Sequence, residues 1–93
     1  MKLQSIDIPN SVRTIRYNAF ANCDEVKYFI IPEGVTELES YTFMNCTSAV
    51  EIILPSTLTY ISENVFDGTV SLRTLFIPKS VEYVGHQNVY NII

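Results

Sequence analysis

The sequence predicts a mainly β repeat solenoid, in which short coils of the chain stack on one another. Two observations support this fold class. The four prolines, Pro9, Pro32, Pro55 and Pro78, are spaced 23 residues apart, and strongly apolar residues recur at the same spacing between them. A constant period of roughly 20–50 residues is typical of proteins built from stacked, equivalent units.

The period divides the chain into four tandem units that we interpret as one domain, residues 1–93, with units of approximately 3–25, 26–48, 49–71 and 72–93. A chain of this length has room for one domain. One coil cannot bury its own apolar side, so we expect the coils to stack and the first strand of each to pair in parallel with the next. Connections between parallel strands are almost always right-handed, which predicts a right-handed coil.

Each unit contains the same series of local signals. Alternating inward residues, such as Phe29 and Ile31, predict a first strand, which proline ends because it has no N–H for a ladder. The polar pair after each proline suits a tight turn. The spacing of Val12 and Ile15 fits a second short extended piece or a corner. The segments around residues 18–20 and 64–66 predict a short helical or 3-10 turn.

One aromatic column runs through the first three units at Phe20, Phe43 and Phe66. Stacking the units would bring these rings together as a ladder in the core. Each ring would bury roughly 150–250 Å² of surface. We therefore expect this ladder to be the largest single source of stability.

The unit carries a specific motif, L-x-x-I-x-I-P-x-x-V-x-x-I-x-x-x-A-F-x-x-C, which spans Leu3 to Cys23 and recurs along the chain. It closely resembles the BspA-like (Treponema pallidum-type) leucine-rich repeat. The fourth unit departs from it, with Asn88-Val89 in place of the small-Phe pair and Ile92 in place of cysteine. The resemblance implies a right-handed leucine-rich-repeat solenoid and a non-enzymatic protein-binding role. It also implies a place among the surface or secreted microbial proteins that use such repeats in attachment.

Composition excludes several classes of partner. The net charge of −4 and the pI near 4.7 argue against binding nucleic acid or an anionic membrane surface. No apolar run approaches the roughly 18 residues of a membrane span. Residues 1–20 contain no apolar segment of a signal peptide. That fits a cytosolic protein or a fragment of a longer exported one, and the sequence leaves both open.

No residues form the pattern of a catalytic, cofactor or metal site, so we expect no enzyme activity. There is no glycine-rich phosphate loop. His86 is the sole histidine and has no nucleophile at a suitable spacing, so a surface histidine is the simpler interpretation. Glu33, Glu37 and Glu39 fit a solvated acidic edge better than an acid–base pair.

The two cysteines, Cys23 and Cys46, occupy the same column of adjacent units. Stacking would place their Cα atoms about 5 Å apart, within the range of a disulfide. Their side chains would point the same way into the core, which favours buried free thiols over a disulfide. Zinc would need further ligands that the spacing does not supply.

The candidate site is on the outward side of the first strands, where side chains alternate with those of the core. Solvent favours polar residues there, yet after Asp7 the equivalent positions are strongly apolar. Such a patch usually marks an interaction site, although β-propensity alone also favours Ile, Phe and Tyr. The predicted protein-binding residues are Tyr28, Ile30, Ile53 and Phe76, flanked by Lys27 and Arg73.

Two hypotheses for function follow. The first is a protein–protein interaction module that presents this strand face to a partner. The second is a structural spacer, or a self-associating fragment of a longer array, because neither end of the chain shows a polar cap and end-to-end association is then expected. Tyr60 and Tyr83 share another outward column but do not by themselves indicate a function.

Overall fold

The computed structural model describes residues 5–6, 8–73 and 75–85, which form two parallel sheets of short strands. The first sheet contains β1, β3 and β5 in that order, and the second contains β2, β4, β6 and β7. This arrangement confirms the mainly β solenoid. The strands are β1 (Ser5–Ile6), β2 (Thr14–Ile15), β3 (Tyr28–Ile30), β4 (Glu37–Leu38), β5 (Glu51–Ile53), β6 (Tyr60–Ile61) and β7 (Tyr83–Val84).

Strand register follows the sequence period directly. Phe29 of β3 lies opposite Ile6 of β1 and Ile52 of β5, so each partner is one repeat away. In the second sheet Leu38 pairs in the same way with Ile15 and Ile61. Parallel pairing in register places like residues in columns, so one apolar repeat position becomes one continuous stripe of core.

The predicted tight turns separate the two sheets. In every coil the proline carbonyl accepts a hydrogen bond from the amide three residues later, at 3.1–3.3 Å. Proline is the first residue of a β-turn here, and the polar pair fills its two central positions. The turn changes the direction of the chain and starts the second strand. The pairs are Pro9–Val12, Pro32–Val35, Pro55–Leu58 and Pro78–Val81.

The third side of the first three coils consists of tight turns, which corrects the expectation of a short helical or 3-10 turn. The Arg16 carbonyl accepts from the Ala19 amide at 3.1 Å, but the next amide, that of Phe20, donates instead to Thr42 in the following coil at 2.9 Å. Asn18 has a φ of 56°. A positive φ interrupts the helical path, and the released amides join adjacent coils.

The equivalent position is also left-handed in the next two coils, but in the second coil a tyrosine occupies it instead of an asparagine. Asn18 and Asn64 hold it with φ of 56° and 59°, and Tyr41 holds it with φ of 63°. Asparagine visits this region readily, whereas a residue with a bulky side chain does so at a cost. The sequence pattern does not reveal that Tyr41 lies in this strained position.

The Phe ladder forms the centre of the core, as predicted. The Phe43 ring is stacked between Phe20 and Phe66, with ring centroids 5.8 and 5.7 Å away. Phe29 of β3 meets Phe43 edge-on at 4.9 Å. Phe29 and Phe43 are fully buried, so the ladder connects the third side of the coil to the first sheet.

Two threonines interrupt the apolar core columns, and both are satisfied by backbone carbonyls. Thr42 is fully buried, and its hydroxyl donates to the carbonyl of Glu39 at 2.5 Å. Thr69 donates to the carbonyl of Phe66 at 2.6 Å. A buried hydroxyl with a hydrogen-bond partner costs little, which explains why these positions tolerate a polar residue.

Burial differs from the repeat pattern in the outer coils. Ala19 is exposed and Val84 is 37% exposed, although both fall in inward columns. In the described part of the chain, the coils that contain them pack against one neighbouring coil instead of two. Residues 75–78 carry no strand, so among the described residues the first sheet has three strands where the repeat predicts four. The expectations for Leu3, Asp7 and residues 86–93, His86 included, lie outside the described residues.

Candidate functional site

The outer face of the first sheet exposes apolar side chains at the predicted positions. In β3, Phe29 is fully buried while its neighbours Tyr28 and Ile30 are 41% and 58% exposed. In β5, Ile52 is 3% exposed while Ile53 is 46% exposed. The pleat of the strands produces this alternation, so the sequence assigned the inward and outward sides correctly.

Strand pairing brings part of the predicted patch together. Ile30 and Ile53 are register partners in adjacent parallel strands, so they lie side by side on the outer face. Phe76 is 77% exposed one repeat further along, between Leu75 and Ile77, which pack against the core. Phe76 therefore faces outward from the fourth coil, but from a segment without strand pairing.

The two predicted basic flanks, Lys27 and Arg73, are both exposed. Lys27 precedes β3, and its carbonyl accepts hydrogen bonds from the amides of Val50 and Glu51 at 2.9 and 3.3 Å. The backbone at Lys27 is thus held between coils while its side chain lies at the surface. Arg73 occupies the corresponding edge of the fourth coil.

A hollow of about 500 Å³ adjoins this face on the side of the first coil. Ile30 belongs both to the hollow and to the exposed strand face. Four of its five lining residues are apolar, but polar atoms make up about half of its exposed wall. The lining residues are Ser5, Ile6, Ile8, Ile30 and Pro32.

The second sheet carries a different exposed feature on β6 and β7. The rings of Tyr60 and Tyr83 stack with centroids 4.8 Å apart and planes 19° from parallel. The Tyr83 hydroxyl donates a hydrogen bond to Oε2 of Glu63 at 2.7 Å. That bond raises the pKa of the Tyr83 phenol and keeps it protonated. Sequence spacing identified the tyrosine column but not the carboxylate that orients it.

The three carboxylates of the predicted acidic edge take separate positions. Glu33 accepts hydrogen bonds from the hydroxyl and the amide of Ser56 at 2.6 and 3.0 Å, which lower its pKa. Glu39 forms an ion pair with Arg16 at 3.2 Å. Glu37 lies in β4 of the second sheet. The contacts of Glu33 and Glu39 each join two neighbouring coils.

The two cysteines are free and adjacent, but they differ in burial. Cys46 is fully buried, and its Sγ donates to the carbonyl of Phe20 at 3.1 Å. Burial raises the pKa of its thiol to about 11. Cys23 is half-buried, which corrects the expectation of full burial, because its coil is the outer one. Burial and then the Asp24 carboxylate raise its pKa.

We expect alkylation to distinguish the two thiols in the folded protein. At pH 8 roughly one thousandth of Cys46 is thiolate, because its pKa is about 11, and only the thiolate reacts. Cys46 should stay unmodified without denaturant while Cys23 reacts slowly, and both rates should rise with pH. Intact mass after iodoacetamide treatment measures this. Rapid labelling of both thiols, or a mass two units low, would contradict free core thiols.

Within residues 5–6, 8–73 and 75–85, no group of three or more His, Cys, Asp and Glu side chains is placed to hold a metal ion. The same residues include no helix long and apolar enough to cross a membrane.

Comparisons with known proteins agree with this architecture. The family described as BspA type leucine rich repeat region (6 copies) matches residues 1–92. The crystal structure of the T. pallidum leucine rich repeat protein superposes with a TM-score of 0.86 at 24% sequence identity. The alignment covers 91% of this chain but 42% of that protein, so this chain spans less than half the length of its structural relative.

A comparison with curated proteins gives no match. Leucine-rich repeats are typically non-enzymatic modules for protein–protein interaction. The family match covers nearly the whole sequence, and the similar structure has the same fold. The chain belongs to the BspA-type leucine-rich repeat family.

Proposed function

We propose that residues 1–93 act as one non-enzymatic module that binds a partner protein through the outer face of the first sheet. The observation that carries this proposal is the exposure of Ile30 and Ile53, at 58% and 46%, side by side in register. Solvent contact of two adjacent aliphatic side chains is unfavourable, and a protein partner would remove it. Exposed apolar patches of this kind are typical of interaction sites.

The residues of the patch would contribute to binding in two different ways. The apolar anchors are Tyr28, Ile30, Ile53 and Phe76, which supply the area whose burial drives binding. A few central aromatic and aliphatic residues usually carry most of the binding energy of an interface. Lys27 and Arg73 lie at the margin, where charges set orientation and association rate more than affinity. The hollow beside Ile30 would accept one projecting side chain of the partner.

The family resemblance supports a more specific context for the parent protein. Repeats of this type suggest a microbial surface or secreted protein that uses them in attachment. The chain matches 42% of the T. pallidum protein, so a longer parent with further repeats is consistent with this proposal. The parent reading frame, with or without a signal sequence and flanking repeats, would test it.

The binding face can be tested with a variant that introduces negative charge on it and with a matched control. The face variant is Ile30→Glu, Ile53→Glu, Phe76→Glu. The control, Tyr17→Glu, Thr47→Glu, Val70→Glu, adds the same charge at three exposed positions outside this face. Each immobilised protein is incubated with host or culture extract, and captured proteins are identified by mass spectrometry. Thermal unfolding first establishes that all three proteins are folded.

We expect the wild type and the control to capture the same partner and the face variant to lose it. Single alanine changes at the anchors should each cost roughly 1–3 kcal/mol of binding free energy with the purified partner. If the face variant captures the same proteins as the wild type, the binding-face proposal is wrong. The structural-spacer hypothesis would then replace it.

A further inference from the structure

A second candidate site lies on the outer face of the second sheet, away from the face proposed above. Tyr60 and Tyr83 are register partners in β6 and β7. Their rings stack at 4.8 Å and remain 39% and 40% exposed. The rings stack face to face, so each keeps one open face, and the open face of a tyrosine ring attracts cations.

Contacts with Glu63 hold this surface in one orientation. Glu63 Oε2 accepts the hydrogen bond of the Tyr83 hydroxyl at 2.7 Å, and Glu63 Oε1 lies 3.4 Å from the donating hydroxyl of Ser62. A ring fixed at both its stacked face and its hydroxyl loses little rotamer freedom when a ligand binds. Donation to a carboxylate also makes the phenol ring more electron-rich, which strengthens attraction of a cation.

Carboxylates lie beside the rings by contact, by strand register or by sequence. Glu37 of β4 is the register partner of Tyr60, so their strands are about 4.8 Å apart. Glu82 immediately precedes Tyr83 and is exposed. With Glu63, three carboxylates therefore border the tyrosine pair. Basic side chains also occur near this region: Lys79 is exposed four positions before Tyr83, and Arg16 of the first coil is paired with Glu39 at 3.2 Å.

We propose that the Tyr60–Tyr83 pair and its bordering carboxylates bind the guanidinium group of an arginine side chain from a basic segment of a partner protein. A guanidinium is planar, so it can lie flat on a tyrosine ring. Its N–H groups point outward in the same plane and can donate to a neighbouring carboxylate. The combination of ring face and carboxylate fits arginine better than lysine, whose ammonium is a compact, strongly hydrated charge.

Charge complementarity supports this occupant. The whole chain carries a net charge of −4, so its field favours the approach of a basic segment. A neutral sugar could also stack on tyrosine and donate hydroxyl hydrogen bonds to the carboxylates, but it would gain no charge attraction from them. This site uses none of the residues of the proposed strand face, so either proposal can fail without the other.

The test titrates the full chain with a capped peptide in which two arginines are separated by glycine and serine. Matched peptides carry lysine or the neutral isostere citrulline instead of arginine. Binding is followed by the NMR signals of the tyrosine rings at low and at physiological salt. We expect the affinity to decrease in the order arginine peptide, lysine peptide, citrulline peptide. Binding should also weaken at higher salt, because the charges are exposed.

Site variants locate the binding. Tyr60→Leu and Tyr83→Leu should each weaken arginine-peptide binding about 2- to 5-fold, the effect expected for an exposed cation–π contact. Glu63→Gln keeps an acceptor for the Tyr83 hydroxyl but removes the charge, and it should also weaken binding. Glu25→Gln, at an exposed turn position, makes the same charge change elsewhere and should have little effect.

Several outcomes would overturn the proposal. Equal affinity for the arginine and citrulline peptides would exclude recognition of the cation. Equal weakening by Glu25→Gln and Glu63→Gln would indicate general charge attraction without a site. Shifts of the tyrosine signals by a neutral oligosaccharide, with none by the arginine peptide, would assign the rings to sugar binding. Absence of saturable binding by the arginine peptide would also refute it.

Discussion

Replacement of Phe43 with alanine is expected to lower the free energy of unfolding by about 3–5 kcal/mol. Phe43 is fully buried and is stacked between Phe20 and Phe66. Its removal would leave a cavity in the middle of the ladder, and three coils would have to move together to close it. Domains of this size are stable by only about 5–15 kcal/mol, so the loss is a large part of the total.

Phe76 provides a matched control for this measurement. The same Phe→Ala change at Phe76 removes a ring that is 77% exposed, so unfolding stability should change by less than about 0.5 kcal/mol. Urea unfolding of both variants, followed by circular dichroism, gives the two values. A loss below about 1 kcal/mol for Phe43→Ala would mean that the ladder does not support the core.

Gly68→Ala is expected to have the second largest effect, about 2–4 kcal/mol. Gly68 has a φ of +81°, which an L side chain adopts only at a cost. An added Cβ would also lie 2.5 Å from Oδ1 of Asn45 and 3.1 Å from its backbone nitrogen. The preceding coil therefore occupies the space that the side chain would need.

Gly34→Ala separates these two causes. Gly34 also has a positive φ, +105°, but its added Cβ would meet the exposed guanidinium of Arg13, which can move aside. Gly34→Ala should cost only the backbone strain, roughly 1–2 kcal/mol.

A double variant tests the contact itself. Gly68→Ala should cost about 1 kcal/mol less when Asn45 is replaced by glycine, because the carboxamide is then gone. Urea unfolding of the single and double variants gives the coupling free energy between residues 45 and 68. If Gly34→Ala and Gly68→Ala cost the same, and Asn45→Gly has no effect on that cost, the close contact between coils is unimportant.

The two outer faces give this small solenoid distinct surfaces for binding. The first sheet presents aliphatic side chains at Ile30 and Ile53, whereas the second presents the Tyr60–Tyr83 pair bordered by carboxylates. The chain changes direction at each proline turn, so the two sheets lie on different sides of the first three coils. A partner that contacts both would have to wrap around the turn.

The sequence by itself determined the fold, the register and the inward side of each strand. Leucine-rich-repeat coils pair in parallel with like residues in line, so the 23-residue period alone places Phe29 beside Ile52 and Phe43 beside Phe66. The alternation of side chains along a strand then makes Ile30 and Ile53 outward. The choice of these residues as a candidate site came from the same alternation, and their role in binding stays a prediction.

Tertiary structure decided what repeat columns cannot encode. Equal sequence positions are buried unequally: Ile61 and Val84 share a column, but Ile61 is fully buried because β6 lies between β4 and β7, whereas Val84 is 37% exposed in β7, which pairs with β6 on one side. The left-handed φ of Asn18 sends alternate amides to the next coil, so tight turns replace the predicted helical turn. The bond from Tyr83 to Glu63 joins residues 20 positions apart. It lies outside the 23-residue period because it depends on side-chain reach between coils, which a column of like residues does not describe.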